Sequence, residues 1–213
     1  MTGLLSSTGV SIQKRRVFFS FHYQNDIWRV NQVRNSWRYQ HEQQRVAEGF
    51  FDGSIWERSQ RTGPDSLKNL IREGMKNTSV TCVLAGSETY NRRWVRYEIA
   101  RSIVKGNGLM VVRIHSVKNQ AGFTARQGPN PLDYMGTYRT SDGRILLAEK
   151  KNGKWVQYSD YTLAVTLPSA WRKPVSTNVV SLSSCARTYC YVANSGRQNF
   201  ATWVRHAAQK TGN

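Results

Sequence analysis

The run Ser79-Val80-Thr81-Cys82-Val83-Leu84-Ala85 constrains this chain more than any other stretch, because it is short, rich in β-branched residues and free of charge. A strand of that kind needs cover on both faces, which is the environment of a central strand in a parallel sheet. Val17-Phe18-Phe19-Ser20-Phe21 and Leu109-Met110-Val111-Val112-Arg113-Ile114 read as two more strands, and Gly49-Phe50-Phe51-Asp52 as a shorter one.

Helical patterns fall between these strands. After Phe21, Asn25 or Asp26 suits a helix N-cap, and Ile27, Val30, Val33 and Trp37 recur at helical spacing. Pro64 fits a first helical turn, with Leu67, Leu70 and Ile71 as its apolar stripe. A third helix is expected near residues 91–105, with Val95, Ile99 and Ile103 facing the core and Gly106 ending it. Four strands alternating with three helices imply parallel crossovers and an α/β, doubly wound open sheet. Beyond residue 116 the pattern changes. The Gly128-Pro129-Asn130-Pro131 connection and the Asp142-Gly143 and Asn152-Gly153 turns predict an added β-meander. Phe200, Trp203, Val204 and Ala207 then predict a terminal helix packed on the body.

Bulk properties exclude several classes. Met1–Gln13 lacks the basic start and apolar run of a secretory signal, and charges interrupt every hydrophobic stretch before it reaches the roughly 18 residues of a membrane span. The chain is therefore expected to work in the cytoplasm, with no membrane partner. Its three cysteines, Cys82, Cys185 and Cys190, have no histidines clustered near them, so no metal site is expected. A formal charge of +18 attracts polyanions of any kind, but the basic residues are dispersed and name no partner. On charge alone a solvated basic surface fits as well as a nucleic-acid footprint, and with nothing else behind it nucleic acid is not the expected partner.

In an open α/β sheet, ligands bind beyond the carboxyl ends of the strands. Three loops qualify: 22–26, 52–63 and 85–91. None holds a GxGxxG or Walker sequence, so a phosphate would have to be held some other way. Trp94 and Glu98 are four residues apart and share a helix face near that crevice. Spacing alone favours a surface ion pair between Glu98 and Arg93 or Arg101. The other reading is a carboxylate desolvated beside an indole, able to hold the hydroxyls of a sugar.

The succession Phe18-Phe19-Ser20-Phe21, Phe50-Phe51-Asp52, Ser79–Leu84 and Trp94-x-x-x-Glu98-Ile99 resembles the landmarks of a TIR domain in order and spacing. Residues 16–37, 77–84 and 90–98 are similar to the TIR-like proteins of bacterial Thoeris antiphage systems, the ThsB type. That likeness extends through Gly128–Tyr134 and the Ser141-Asp142-Gly143 turn, so it covers nearly the whole chain.

The resemblance implies a flavodoxin-like TIR fold, with residues 1–14 as a flexible start, 15–135 as the TIR-like domain and 136–213 as a β-rich extension with a terminal helix. It also implies an enzyme that consumes NAD as substrate, with no separate cofactor, releases nicotinamide and makes a cyclic ADP-ribose-type signal for an effector protein of the same defence system. Glu98 falls on the family's catalytic position. The family's substrate contacts fall on Phe21, His22 and Tyr23 after the first strand, on Asp52 and Trp56 in the second loop, and on Trp94. Self-association is the other property the family suggests, and a non-enzymatic adaptor working by that means is the alternative reading. Nucleoside deoxyribosyl transfer, which shares the sheet and a catalytic carboxylate, is a further one.

Overall fold

The structure, a computed structural model, describes residues 15–39, 47–48 and 63–212. Its main sheet holds β1 (Val17–Phe21), β2 (Ala47–Glu48), β3 (Val80–Ala85), β4 (Gly108–Arg113) and a late strand, β9 (Arg187–Cys190). The order is β2-β1-β3-β4-β9 and every pairing is parallel. Counted along the chain this is the 2-1-3-4-5 arrangement of flavodoxin-like folds, in which the direction of winding reverses between β1 and β3. The chain is thus an α/β fold with a TIR-like parallel sheet. β3 lies in the middle with all six of its residues buried, as its unbroken apolar run predicts.

Alternation along the strands sends side chains to opposite faces. Val17, Phe19, Cys82, Leu84, Met110 and Val112 face α1 (Tyr23–Tyr39) and α4 (Gly196–Gln209). There Phe200 packs on Phe19 and Trp37, and Trp203 lies flat on Tyr189 with ring centroids 4.2 Å apart. On the other face, Phe18 meets Leu67, Ile71 and Met75 of α2 (Pro64–Met75), while Val83 and Val111 meet Val95, Ile99 and Ile103 of α3 (Arg93–Lys105). Pro64 opens α2, and Gly106 closes α3 in the left-handed region at φ 78°.

Some boundaries differ from those expected. Helix α1 begins at Tyr23, ahead of the anticipated cap at Asn25 or Asp26, and Asp26 sits in its first turn. Strand β2 lies immediately before Gly49–Asp52; residues 49–52 themselves are outside the described residues, as are Asp52, Trp56, His41 and residues 1–14.

The segment after residue 135 divides between two sheets. β5 (Met135–Arg139), β6 (Ile145–Lys151), β7 (Lys154–Gln157) and β8 (Val180–Ser181) form an antiparallel sheet in the order β7-β6-β5-β8. Asn152 and Gly153, both at positive φ, make the tight turn between β6 and β7. The chain then returns to add β9 and α4 to the parallel sheet, a strand that the turn-rich sequence did not announce. Met135, Leu147, Tyr158, Val165 and Trp171 bury themselves against the α3 side of that sheet, so both sheets share one core. No helix among the described residues is long and apolar enough to cross a membrane.

A charged contact also joins α3 to the antiparallel sheet. Arg96 of α3 donates to the Glu149 carboxylate of β6 at 2.8 Å, with both side chains nearly buried, and Lys151 reaches the same carboxylate at 2.7 Å from a more exposed position. Replacing Arg96 by Met should lower stability by about 3 kcal/mol, the low end for breaking a buried pair, because Lys151 still reaches Glu149. Adding Glu149→Leu to that variant should recover most of the loss. Urea unfolding of the two variants beside the parent chain measures both effects.

Candidate functional site

The reversal of winding between β1 and β3 leaves a crevice beyond their carboxyl ends. Three segments wall it: Phe21–Gln24, where β1 passes into α1; the loop after β3; and the first turns of α3. The cavity there measures about 260 Å³ and is lined by Phe21, His22, Tyr23, Gln24, Asn91, Arg92, Arg93, Trp94, Val95 and Glu98.

Glu98 is 5 % exposed, although its position on α3 suggested a surface ion pair from sequence. Neither expected partner takes it. Arg93 turns outward to Asp160, with Nε and Nη2 at 3.0 and 2.9 Å from its two oxygens. Among the described residues, the carboxyl of Glu98 meets Ser20, whose hydroxyl donates to Oε2 at 2.5 Å. Ser20 points to the α3 side because it alternates with Phe19 and Phe21 along β1. Burial raises the Glu98 carboxyl from the usual 4.5 to about 8, and the Ser20 hydrogen bond offsets part of that rise. Sequence reasoning passed over Ser20; its signal was a lone hydroxyl inside an otherwise apolar strand.

The other predicted residues that the structure describes gather around this carboxyl, while Asp52 and Trp56 lie outside the described residues. Phe21 and Tyr23 are half-buried, with ring centroids 6.4 Å apart. Trp94 is half-buried too, with the Arg93 guanidinium 5.0 Å above its ring and Tyr97 edge-on at 6.0 Å. His22 is buried, its Nδ1 has no hydrogen-bond partner among the described residues, and burial with the nearby Arg92 holds its pKa below the usual 6.5. At neutral pH this imidazole is uncharged. Asn91 and Arg92 also line the cavity, although sequence did not single them out. His115 and His206 do not line it.

Asp26 positions the loop after β3. Its carboxylate lies against Gly86, where any side chain would collide with it, and accepts from Thr89 Oγ1 at 3.3 Å. Thr89 in turn accepts from the Gly86 amide at 2.9 Å. Asn25 donates to Glu88 at 3.1 Å, and Arg92 pairs with that same Glu88. Burial raises the Asp26 carboxyl to about 6. Among the described residues, no group of three His, Cys, Asp or Glu side chains is placed to hold a metal ion, and all three cysteines are free thiols.

A buried carboxyl with a raised pKa opposes folding in its ionised form. Between pH 4.5 and 8 the unfolded chain has released the Glu98 proton that the folded chain retains, so stability falls as pH rises through that window and levels beyond it. Asp26 contributes in the same sense between 3.8 and 6. Glu98→Gln should therefore flatten the profile between about pH 6 and 8 and reduce the slope between about 4.5 and 6, where Asp26 still contributes. Melting temperatures of the two proteins across that range would reveal this, and parallel profiles would contradict it.

Comparison with known proteins gives the family. Residues 18–119, which span β1 to the segment after β4 and include Glu98, match the family model described as Thoeris protein ThsB, TIR-like domain. A protein of Bacillus cereus (strain MSX-D12) named "Putative cyclic ADP-D-ribose synthase ThsB1" is 47% identical over 195 residues, which cover 89% of this chain and 98% of that one. With a TIR-like sheet, the Trp94-x-x-x-Glu98 pair on the helix that walls its crevice, and a relative of this identity along almost its full length, the chain belongs to the ThsB family of TIR-like Thoeris proteins.

Proposed function

We propose that this chain cleaves the nicotinamide N-glycosidic bond of NAD and closes the remaining ADP-ribose into a cyclic product, which acts as the signal for an effector protein of the same defence system. The observation that carries this reading is the buried Glu98 carboxyl, bonded to Ser20 and lining an aromatic-walled crevice. The name borne by the Bacillus cereus relative is consistent with the same reaction.

The chemistry asks little of a general acid. Nicotinamide leaves with the electron pair of the broken C–N bond, which neutralises its ring, so the leaving group needs no proton. Positive charge develops on the ribose instead, and an ionised carboxylate held against that sugar stabilises it. In the free protein Glu98 is mostly protonated at pH 7, because its pKa lies at about 8. The cationic nicotinamide riboside entering the cavity favours the ionised form and lowers that pKa. Ser20 keeps the carboxyl oriented toward the cavity throughout. A nucleophilic oxygen or nitrogen of the same ADP-ribose then attacks the vacated carbon and loses its proton, which closes the ring; water attacking there would give the linear product. Phe21, Tyr23 and Trp94 are the described residues that exclude water, while His22, uncharged, is available to hydrogen-bond a ribose or phosphate oxygen. Asp52 and Trp56 are proposed as further contacts from the second loop.

Incubation with NAD, with nicotinamide release followed by chromatography and the second product identified by mass spectrometry, tests the reaction. Glu98→Gln should lower the rate by about 100- to 1,000-fold, as expected for removing the group that faces the developing charge. Unchanged product from that variant would defeat the mechanism, and no release from the parent chain, even in extract of phage-infected cells, would favour the adaptor reading. In the parent, kcat/KM should rise with pH through a limb near 8, with the corresponding limb in kcat at lower pH because the bound cation favours ionised Glu98. Ser20→Ala should move the kcat/KM limb upward, since the hydrogen bond it removes is what offsets desolvation. A limb unmoved by that change would assign Ser20 a packing role only.

A further inference from the structure

A second cleft of about 630 Å³ lies against the other side of Arg93, between the first turns of α3 and the β6–β7 hairpin. Asn91 and Arg93 line both this cleft and the Glu98 cavity, so the two spaces adjoin across the start of α3. We propose that this cleft receives the diphosphate-bearing half of the dinucleotide whose nicotinamide riboside half occupies the Glu98 cavity. The inference rests on NAD being the substrate and concerns where the rest of that molecule lies.

Size makes the first argument. The Glu98 cavity, at about 260 Å³, is smaller than the roughly 300–1,000 Å³ that drug-sized ligands fill, and a dinucleotide is larger than most drugs. It suits one riboside. The remainder of the substrate must leave over the start of α3, where Arg92 provides no side-chain cap and the first-turn N–H groups have no partners within the helix.

Charge makes the second. Arg93, Arg96, Lys150 and Lys151 line the cleft, against the carboxylates of Glu149 and Asp160. Those carboxylates are already engaged, Asp160 by Arg93 and Lys68, Glu149 by Arg96 and Lys151. The Lys150 side chain alternates to the other face of β6, over the Trp155 ring, so three cations, Arg93, Arg96 and Lys151, against two carboxylates keep the cleft positive.

The third is a hydroxyl the fold itself does not use. Tyr158 lines the cleft, is 1 % exposed and packs its ring in the core, yet its hydroxyl has no hydrogen-bond partner among the described residues. A buried donor left without a partner is unfavourable for folding alone and is explained by a ligand oxygen that accepts from it. An extended dinucleotide supplies such oxygens on its phosphates and on its second ribose.

Calorimetric titration of the Glu98→Gln chain tests the assignment without turnover, with ADP-ribose carrying the diphosphate half and nicotinamide mononucleotide lacking the adenosine half. Tyr158→Phe and Lys151→Ala, each added to that chain, should weaken ADP-ribose about tenfold and leave the mononucleotide within about twofold, and NAD should displace ADP-ribose one for one. Tyr158→Phe should also melt no lower than its parent, because the hydroxyl it removes bonds nothing in the fold. ADP-ribose binding that is absent, indifferent to both changes, or non-competitive with NAD would overturn the proposal, the last by making the cleft a site for a separate nucleotide. A melt several degrees lower in Tyr158→Phe would overturn the hydroxyl's role as ligand donor. Nicotinamide release by the parent chain, which keeps Glu98, separates the two readings. Release with ADP-ribose binding insensitive to the variants removes this cleft assignment and leaves the enzyme. Loss of ADP-ribose binding in the variants, with no nicotinamide released by the parent chain, removes the enzyme and leaves the cleft.

Discussion

Every residue of β3 is buried, and the rest of the architecture answers the need to cover both faces of that strand. Parallel pairing on each side satisfies its backbone, and crossover helices return the chain along the faces, α1 and α4 on one and α2 and α3 on the other. Parallel strands also end together. The loops after β1 and β3 therefore emerge side by side where the winding reverses, and the crevice between them follows from the way the core is covered.

Function is set against stability at that crevice. Glu98 sits where an apolar residue would pack at less cost, and burial drives its carboxyl to about 8. Asp26, raised to about 6, accepts a similar penalty to hold the loop after β3 through Thr89. One carboxyl faces the cavity and the other fixes the loop that walls it. Both are poorly solvated groups in a fold that its apolar contacts make stable enough to tolerate them.

The late part of the chain does two separate jobs. β9 and α4 complete the parallel sheet and one of its faces, where Trp203 stacks on Tyr189 and Phe200 packs on Phe19. The intervening antiparallel sheet covers the outer side of α3 and is locked there by Arg96 and Glu149. It thereby places Lys151, Tyr158 and Asp160 in one cleft with Arg93, at the edge of the Glu98 cavity. Residues distant in sequence thus extend a crevice whose first walls come from β1 and α3.

Sequence alone determined the alternation of strand and helix, the central place of β3, the apolar stripes of α1 to α4 and the turns at Asp142-Gly143 and Asn152-Gly153, because each rests on local periodicity or backbone conformation. Position pointed only to the loops at the strand ends and to the face shared by Trp94 and Glu98; it was the resemblance to TIR domains that brought Phe21, His22, Tyr23, Trp94 and Glu98 forward as candidates. Spacing could not say whether Glu98 was buried, since a helix face is polar or desolvated according to what lies opposite. Only the tertiary structure decided that, by setting Ser20 of β1 against Glu98 and turning Arg93 away to Asp160. It also decided that Arg187–Cys190 joins the parallel sheet, because a four-residue strand exposed at two positions carries no strong pattern until β4 offers it an edge.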